Sequence, residues 1–433
     1  MSLKFGFAQG NITPEPGHIY LDGYGMRLKP AEGVHDDIYV KVCVIDDNGE
    51  LFALTSFDIL GFTEDVEDVL IGHISTLSGI ARERIALTAT HTHSSISCGT
   101  LGSTPVNLMV WDAVGEIAGN AVKDAIANLE ECTIKSAMGK ELQYIHNRRG
   151  VEDMCDRRVH VLTVKNNAGE IKGVITSASC HAVVRTDYNI SADYPGVLTR
   201  EAAKKYPGVP FLFLQGRCAD TNPLYMDDNK IDEYCEKLGM ELVESVLPVV
   251  DTGCEVDTSK MSSQFIETKL PVRDYPDEKT LREKIKTLSD KYHASDKPVG
   301  KRIIARELTW CEKALRYVLR GEVNRPMYAP LQTLKLGDDL VFVMMPFETL
   351  KKTGDTLEEM LLERGYKSEN IFVVGHSNCV WGYLIPKAYM PENMPNSPWI
   401  YEVTEAPYWY DVPFFSLETE DFVVNKMTEL VDM

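Results

Sequence analysis

The sequence is short of the features that mark several protein classes. Ten cysteines are scattered through 433 residues without one Cys-x-x-Cys pair, which removes the spacing of zinc ribbons and dithiol redox centres. Cys43, Cys180 and Cys311 fall within apolar or helical patterns, as small reduced core residues do. Cys180 and Cys218 are the two to watch, since both sit beside candidate site residues. There is no run of 18 apolar residues, so nothing reads as a membrane span. Residues 1–10 lack the apolar core of a secretion signal, and the chain reads as cytoplasmic, without stable membrane association. Positive charge is scarce too: 45 Lys and Arg face 65 Asp and Glu, a formal net charge of −20. Such a surface attracts neither nucleic acid nor an anionic membrane. Small substrates stay open, and 44% hydrophobic content is enough for a large core.

What the sequence does have begins at Leu87-Thr88-Ala89-Thr90-His91-Thr92-His93, where an apolar strand pattern runs into a His-x-His pair. In extended backbone residues i and i+2 point the same way, with a rise of about 3.3 Å per residue, so both imidazoles can address one ion or one substrate atom. Alone, such a pair is more often surface or hydrogen-bonded core histidine, and further ligands have to come from elsewhere.

One order of elements occurs three times. Residues 38–45 alternate, Asp47-Asn48-Gly49 is a hairpin signal, and 51–57 return to end at Asp58. A helix follows, capped by Thr63, with Glu64 and Asp65 at its positive end and Val66, Val69, Leu70, Ile74 and Leu77 on one face. The strand at 84–90 then delivers His91. In the second round a hairpin over 159–179 ends at Cys180-His181, a helix covers about 196–206, and the strand at 211–214 runs into a polar loop at 215–223. In the third a hairpin over 331–345 ends at Pro346-Phe347-Glu348, a helix spans 350–364, and the strand at 371–374 leads to Gly375-His376-Ser377-Asn378. Each hairpin thus ends at a potential ligand or proton carrier (Asp58, His181, Glu348), and each following strand ends at His91, Arg217 or His376. Strand ends on a shared sheet edge are where sites are built. Pieces that mix hairpins with helices imply an α/β fold of mixed β-sheets covered by helices in a layered sandwich, not an all-parallel sheet.

Between the second and third rounds, residues 277–321 carry apolar side chains at helical spacing, among them Leu281, Leu288, Leu308, Cys311 and Leu315, and read as an inserted helical hairpin. The aromatic runs at 398–403 and 407–414 fit core, a contact between copies of the chain in a homo-oligomer, or a substrate-lining loop.

Thr90-His91-Thr92-His93-Ser94, the isolated His181 after a strand, Asn147-Arg148-Arg149, the 215–223 loop, Glu348 before a helix, and Tyr401-Glu402 occur in the order of the neutral ceramidase family. The chain resembles the catalytic region of that family from Gly10 to about Pro413. The resemblance implies a single catalytic domain over 1–433, without the C-terminal β-sandwich of the family's secreted members. It also implies a zinc-dependent amidase in which His91, His181, Glu348 and Tyr401 ligate Zn2+. His93 and Arg148 then position the substrate carbonyl, and one of Tyr408 and Tyr410 matches a further family tyrosine. Asp220, Asn222 and Asn378 complete the candidates as substrate-binding residues.

The residue chemistry fits that implication. Two imidazoles and a carboxylate are a common catalytic zinc set with a position left for water. Arg148 suits an oxyanion and His93 a proton transfer to the leaving amine, while Asp58 or another acid is expected to orient a ligand histidine. One departure bears on substrate. Where the family carries Gly-Asp-x-Ser-Pro-Asn, this chain has Ala219-Asp220-Thr221-Asn222-Pro223-Leu224, with Asn222 at the serine position. The expected substrate is therefore a small-molecule or lipid-like N-acyl compound that need not be ceramide. A metal-dependent esterase or other hydrolase acting on a non-lipid substrate is the alternative enzyme reading. A non-catalytic ligand-binding protein, favoured by Asn222 and His376, is the third.

Overall fold

Asn48 and Gly49 adopt positive φ angles of 54° and 96°, the two-residue turn that matches the twist of an antiparallel hairpin. The computed structural model describes residues 3–99, 105–151 and 154–433, and this hairpin lies in the first of three similar units. The unit consists of β1 (Lys4–Asn11), β2 (Tyr39–Asp47), β3 (Glu50–Phe57), α1 (Glu64–Ser78), β4 (Ile85–Ala89) and α2 (Leu108–Ala127). Strands β1, β2 and β3 are antiparallel neighbours, and α1 crosses over to place β4 parallel to β3.

The second unit repeats the plan with β5 (Glu130–Met138), the short β6 (Ile145–Asn147), β7 (His160–Asn166), β8 (Ile171–Ala178), α3 (Tyr194–Lys205), β9 (Phe211–Gln215), the short β10 (Thr221–Pro223) and α4 (Ile231–Val246). Here β5, β7 and β8 are antiparallel, and β9 lies parallel to β8. After β11 (Cys254–Val256) the third unit begins with β12 (Met261–Lys269), followed by the helical hairpin α5 (Glu278–Ala294) and α6 (Pro298–Leu319). It continues with β13 (Tyr328–Leu336), β14 (Leu340–Met344), the short β15 (Glu348–Thr349), α7 (Lys351–Leu362), β16 (Ile371–Val374) and the short β17 (Tyr383–Leu384). Two short helices, α8 (Ile400–Thr404) and α9 (Ala406–Tyr410), precede α10 (Thr419–Asp432). Strands β12, β13 and β14 are antiparallel, with β16 parallel to β14.

The first two units join edge to edge through β1 and β5 into one nine-stranded sheet, and the third forms its own four-stranded sheet. Between the sheets lies a core to which all three units contribute: Phe52 and Leu54, Ile175, Leu212 and Leu214, and Phe342, Phe372 and Val374. Helix pairs α1/α2, α3/α4 and α7/α10 cover the outer faces. Burial on both faces explains why β9 and β16 read as unbroken apolar runs, each large side chain contributing about 1.5–3 kcal/mol by leaving water. The expected α/β class and mixed sheets are what the structure has. The hairpin α5/α6 is also present, closed around Leu281, Leu288, Trp310, Cys311 and Ala314.

Two features differ from the sequence reading, and the cysteines agree with it. The leading strands β1, β5 and β12 and the closing helices α2, α4 and α10 turn each hairpin, helix and strand into a larger unit. The Thr63 hydroxyl makes no cap bond to α1 and instead donates to the Cys98 carbonyl at 2.9 Å. All ten cysteines are free, and burial pushes the thiols of Cys180 and Cys218 well above their ordinary pKa, which leaves both protonated and unreactive.

Candidate functional site

The C-terminal ends of β4, β9 and β16, one from each unit, are laced together. The Ala89 amide donates to the His376 carbonyl at 3.3 Å, the Asn378 amide to the Leu87 carbonyl at 2.7 Å, and the Gly375 amide to the Gln215 carbonyl at 3.0 Å. The Gln215 side chain donates to the carbonyls of Thr90 and Cys180 at 3.1 and 2.7 Å. This frame brings His91, His93, His181, Glu348 and His376 to one place. His91 and His376 each stand two residues beyond a strand, with φ of 63° and 52°. Such left-handed backbone is unusual outside glycine and marks positions that the surrounding structure fixes.

The expected acid behind a ligand histidine is absent from that role. Asp58 is buried, but its carboxylate accepts from Lys41 Nζ at 3.2 Å and the Tyr39 amide at 2.9 Å. Backbone carbonyls orient the rings instead: His91 Nδ1 donates to Leu60 O at 2.7 Å, and His181 Nδ1 to Cys218 O at 2.8 Å. With Nδ1 committed in both rings, the two Nε2 atoms turn toward Glu348. They lie 3.7 Å (His91) and 3.0 Å (His181) from Glu348 Oε2. Burial pushes His91 down to about 4, against the opposing pull of Glu348, so its ring is neutral and presents a lone pair. Burial alone would raise Glu348, but the His181 hydrogen bond and the His91 and His376 rings outweigh it and hold the carboxyl well below its usual range. A neutral imidazole lone pair facing a carboxylate is a meeting of acceptors, and a cation between them relieves it. His91, His93 and His181 form one group with ligand atoms within 4.8 Å of each other, and His91, Glu348 and His376 form a second. The donor set present therefore fits a divalent metal ion.

His93 is half-buried, with Nε2 3.3 Å from His91 Nε2 and Nδ1 buried without a partner among the described residues. It packs edge-on to Tyr24 at 5.3 Å. Gly23 makes room for it, since a Cβ there would fall 2.4 Å from the ring. Burial, with His91 and His181 adding to it, pushes His93 well below its ordinary pKa and leaves it neutral. Arg148 Nη1 lies 3.3 Å from His181 Nε2, and Nη2 donates to Glu402 at 2.7 Å. Glu402 also accepts from Arg149 Nε at 2.9 Å. Burial would lower Arg148, but Tyr383, Glu402 and Glu348 outweigh it and keep the guanidinium charged. One carboxylate thus serves two guanidinium groups, and a positive charge remains at the cluster.

The tyrosines separate clearly. The Tyr410 hydroxyl donates to Glu348 Oε1. Tyr408 points away: its hydroxyl accepts from Lys284 of α5 at 2.8 Å, and its ring packs on Trp310 and Phe414. Tyr401 is half-buried, with its ring centroid 6.2 Å from that of Tyr383, and lies under the Arg149 guanidinium at 5.6 Å. Burial, with Glu348 adding to it, pushes Tyr401 up to about 12. Tyr383 was absent from the sequence candidates. It is buried, bonded to Arg148, and 6.0 Å from the Tyr410 ring. Its only sequence signal is a Gly-Tyr step at the end of an apolar run.

Two substrate-binding candidates serve the frame instead. Asn378 Oδ1 accepts from the Leu87 amide at 3.0 Å and Nδ2 donates to Gln332 at 2.9 Å, which uses up a fully buried side chain as a clamp between β4 and β13. Asp220 accepts from Asn147 Nδ2 at 3.2 Å and from the Lys351 amide at 3.2 Å, the first turn of α7. Burial pushes it up to about 6. Its carbonyl holds the Arg148 amide at 2.8 Å, so it places Arg148. Asn222 lies on β10, paired with His146 of β6, and its Oδ1 is buried without a partner among the described residues. Arg217 leaves the site altogether and binds Asp156, Asp355 and Glu358.

No protein-family model matches this chain, and no curated protein matches it in sequence. Among solved structures, neutral ceramidase from Pseudomonas aeruginosa superposes with a TM-score of 0.76 at 17% identity, over 99% of this chain and 74% of that one. A ceramidase solved in complex with C2 gives a TM-score of 0.74 at 15% identity, over 99% and 75%. No helix among the described residues is long and apolar enough to cross a membrane. The resemblance read from scattered motifs thus extends through the whole architecture: this chain has the fold of neutral ceramidase.

Proposed function

We propose that the protein is a metal-dependent hydrolase that cleaves an amide bond in an N-acyl substrate, as the ceramidase name of its structural neighbours suggests. The observation that carries this reading is the convergence of His91 Nε2, His181 Nε2 and Glu348 Oε2, two oriented imidazoles and a carboxylate, beside a charged Arg148. His91, His181 and Glu348 would hold zinc, which when bound supplies a Lewis acid that makes water nucleophilic near neutral pH. Tyr401 is the phenol that the resemblance gives to the metal; Tyr410 meets the ligand carboxylate of Glu348 directly and steadies it. Arg148, held by Glu402, stabilises the negative charge that develops on the carbonyl oxygen. His93, with Nε2 facing the cluster and Nδ1 unpartnered among the described residues, is placed to pass a proton to the leaving nitrogen.

Elemental mass spectrometry on the purified chain tests the site. About one zinc per wild-type chain and little in His181→Ala supports it. His91→Ala should lose the metal, whereas His93→Ala should keep it and lose turnover on a panel of N-acyl compounds, ceramide among them. A metal-free wild type that stays empty when zinc is supplied refutes the proposal.

A further inference from the structure

His376 is the member of the cluster that the proposed hydrolysis leaves without a task. Its side chain is completely buried, and neither ring nitrogen has a hydrogen-bond partner among the described residues. Buried polar atoms are nearly always satisfied, and a ring with two orphaned nitrogens calls for a missing partner. The neighbouring groups do not provide one. Glu348 Oε2 is met by His181 and Oε1 by Tyr410, and His91 presents a ring face, with centroids 3.9 Å apart and planes 36° from parallel. His376 is also the counterpart of His91 in another unit: each follows its parallel strand by two residues, in left-handed backbone, and turns toward the same point. One ligand atom from each of His91, Glu348 and His376 lies within 4.8 Å of the others.

Resting on the metal reading above, we infer that His376 is a further ligand to the ion held by His91, His181 and Glu348, completing a set of three imidazoles and one carboxylate. Four protein ligands close a tetrahedral zinc site, as in structural centres. Room for a reacting water then requires an ion that accepts a fifth ligand, so the set favours metals at ease with higher coordination, such as Co2+ or Fe2+, more than two imidazoles and a carboxylate would.

The test uses the full chain, stripped of metal with a chelator and titrated with Co2+ while the visible ligand-field bands are recorded, for wild type, His376→Leu and His181→Ala. Leucine fills much of the imidazole space without a donor. We expect wild type to bind one Co2+, and His376→Leu to shift and strengthen the bands and to lose more than ~100-fold in affinity, beyond the ~10–100-fold typical of losing a residue that only supports a ligand. His376→Leu binding with the wild-type spectrum and within about tenfold of its affinity overturns the inference while leaving the His91, His181 and Glu348 site intact. Wild type that binds no Co2+ overturns the metal reading and this one together. Should His376→Leu lose its near-ultraviolet circular dichroism, anomalous diffraction from the wild-type zinc form decides. A His376 nitrogen about 2.0–2.1 Å from the ion supports the assignment, and a ring outside bonding distance refutes it.

Discussion

Glu402→Gln is the substitution that most directly separates the frame of the site from its chemistry. The Glu402 side chain is 0% exposed, and one oxygen accepts from Arg148 Nη2 at 2.7 Å and from Arg149 Nε at 2.9 Å. Glutamine preserves the shape and one carbonyl oxygen but removes the charge that offsets two guanidinium groups. Hydrogen bonds to charged groups contribute roughly 1.5–3 kcal/mol each, and removing one partner of a buried ion pair costs about 3–5 kcal/mol. Arg149 keeps 24% of its side-chain surface in water and recovers part of its solvation, which places the loss near the lower end, about 3 kcal/mol. With an unfolding entropy of about 2.1 cal/mol/K per residue, each kcal/mol moves the melting temperature of a chain of this size by about 1 °C, so a fall of about 3 °C is expected by scanning fluorimetry. Arg148 would also swing from its place beside His181, and losing one aligned oxyanion donor costs about 100–1,000-fold in turnover. Metal affinity, set by other side chains, should stay within tenfold. Glu402→Gln with unchanged melting temperature and turnover would show that this carboxylate does not hold Arg148 in place.

Other consequences follow from the same contacts. Tyr410→Phe should lower turnover and weaken metal binding through Glu348, whereas Tyr408→Phe, which loses only its bond with Lys284, should leave both near wild type; equal effects would contradict the placement of these rings. Asn378→Ala removes two buried hydrogen bonds and puts alanine at φ 64°, for an expected loss of about 3 kcal/mol in urea unfolding; a loss below about 1 kcal/mol would mean that it is no clamp. Burial alone would raise Glu358, but its hydrogen bonds with Arg158 and the charge of Arg217 outweigh that and bring it to about 2. A folded pKa below the ordinary 4.5 contributes stability that is present above pH 4.5 and lost as pH falls toward 2. Glu358→Gln should therefore flatten the acid limb of a stability-against-pH curve, and an unchanged slope would count against this ion cluster as its source.

The rounds of hairpin, helix and strand were legible because their signals are local. Alternation, an Asn-Gly turn and an amphipathic helix each declare themselves within a dozen residues. The leading strand β1 was hidden by its own packing. Gly6 and Gly10 interrupt the apolar pattern as turn residues would, yet they are there because α2 lies against the strand: a Cβ on Gly6 would fall 1.9 Å from the Ala125 carbonyl, and one on Gly10 2.4 Å from Ile117. Close approach between segments more than a hundred residues apart leaves no periodicity to read.

The site divides along the same line. His91, His181 and Glu348 each stand a few residues past a long strand, and the residue type there was enough to mark them. Strand-end position alone did not decide function, since Asp58 and Arg217 hold equivalent places and turn instead to Lys41 and to the Asp156, Asp355 and Glu358 carboxylates. The partners that separate these cases are backbone carbonyls, Leu60 for His91 and Cys218 for His181, and every residue has one, so composition cannot signal them. The tyrosines fail for a related reason. Tyr408 and Tyr410 share one short helix, two residues apart, and a helix turns such a pair about 200° from each other. Only the position of α9 between the α5/α6 hairpin and Glu348 decides which hydroxyl faces the cluster. That position depends on the insertion, so moving the hairpin should disturb Tyr410 and its bond to Glu348. The aromatic contact of Trp310 on α6 with Tyr408 makes Trp310→Ala the variant in which to look: lost turnover with the metal still bound would establish that the insertion sets the geometry of the site from outside.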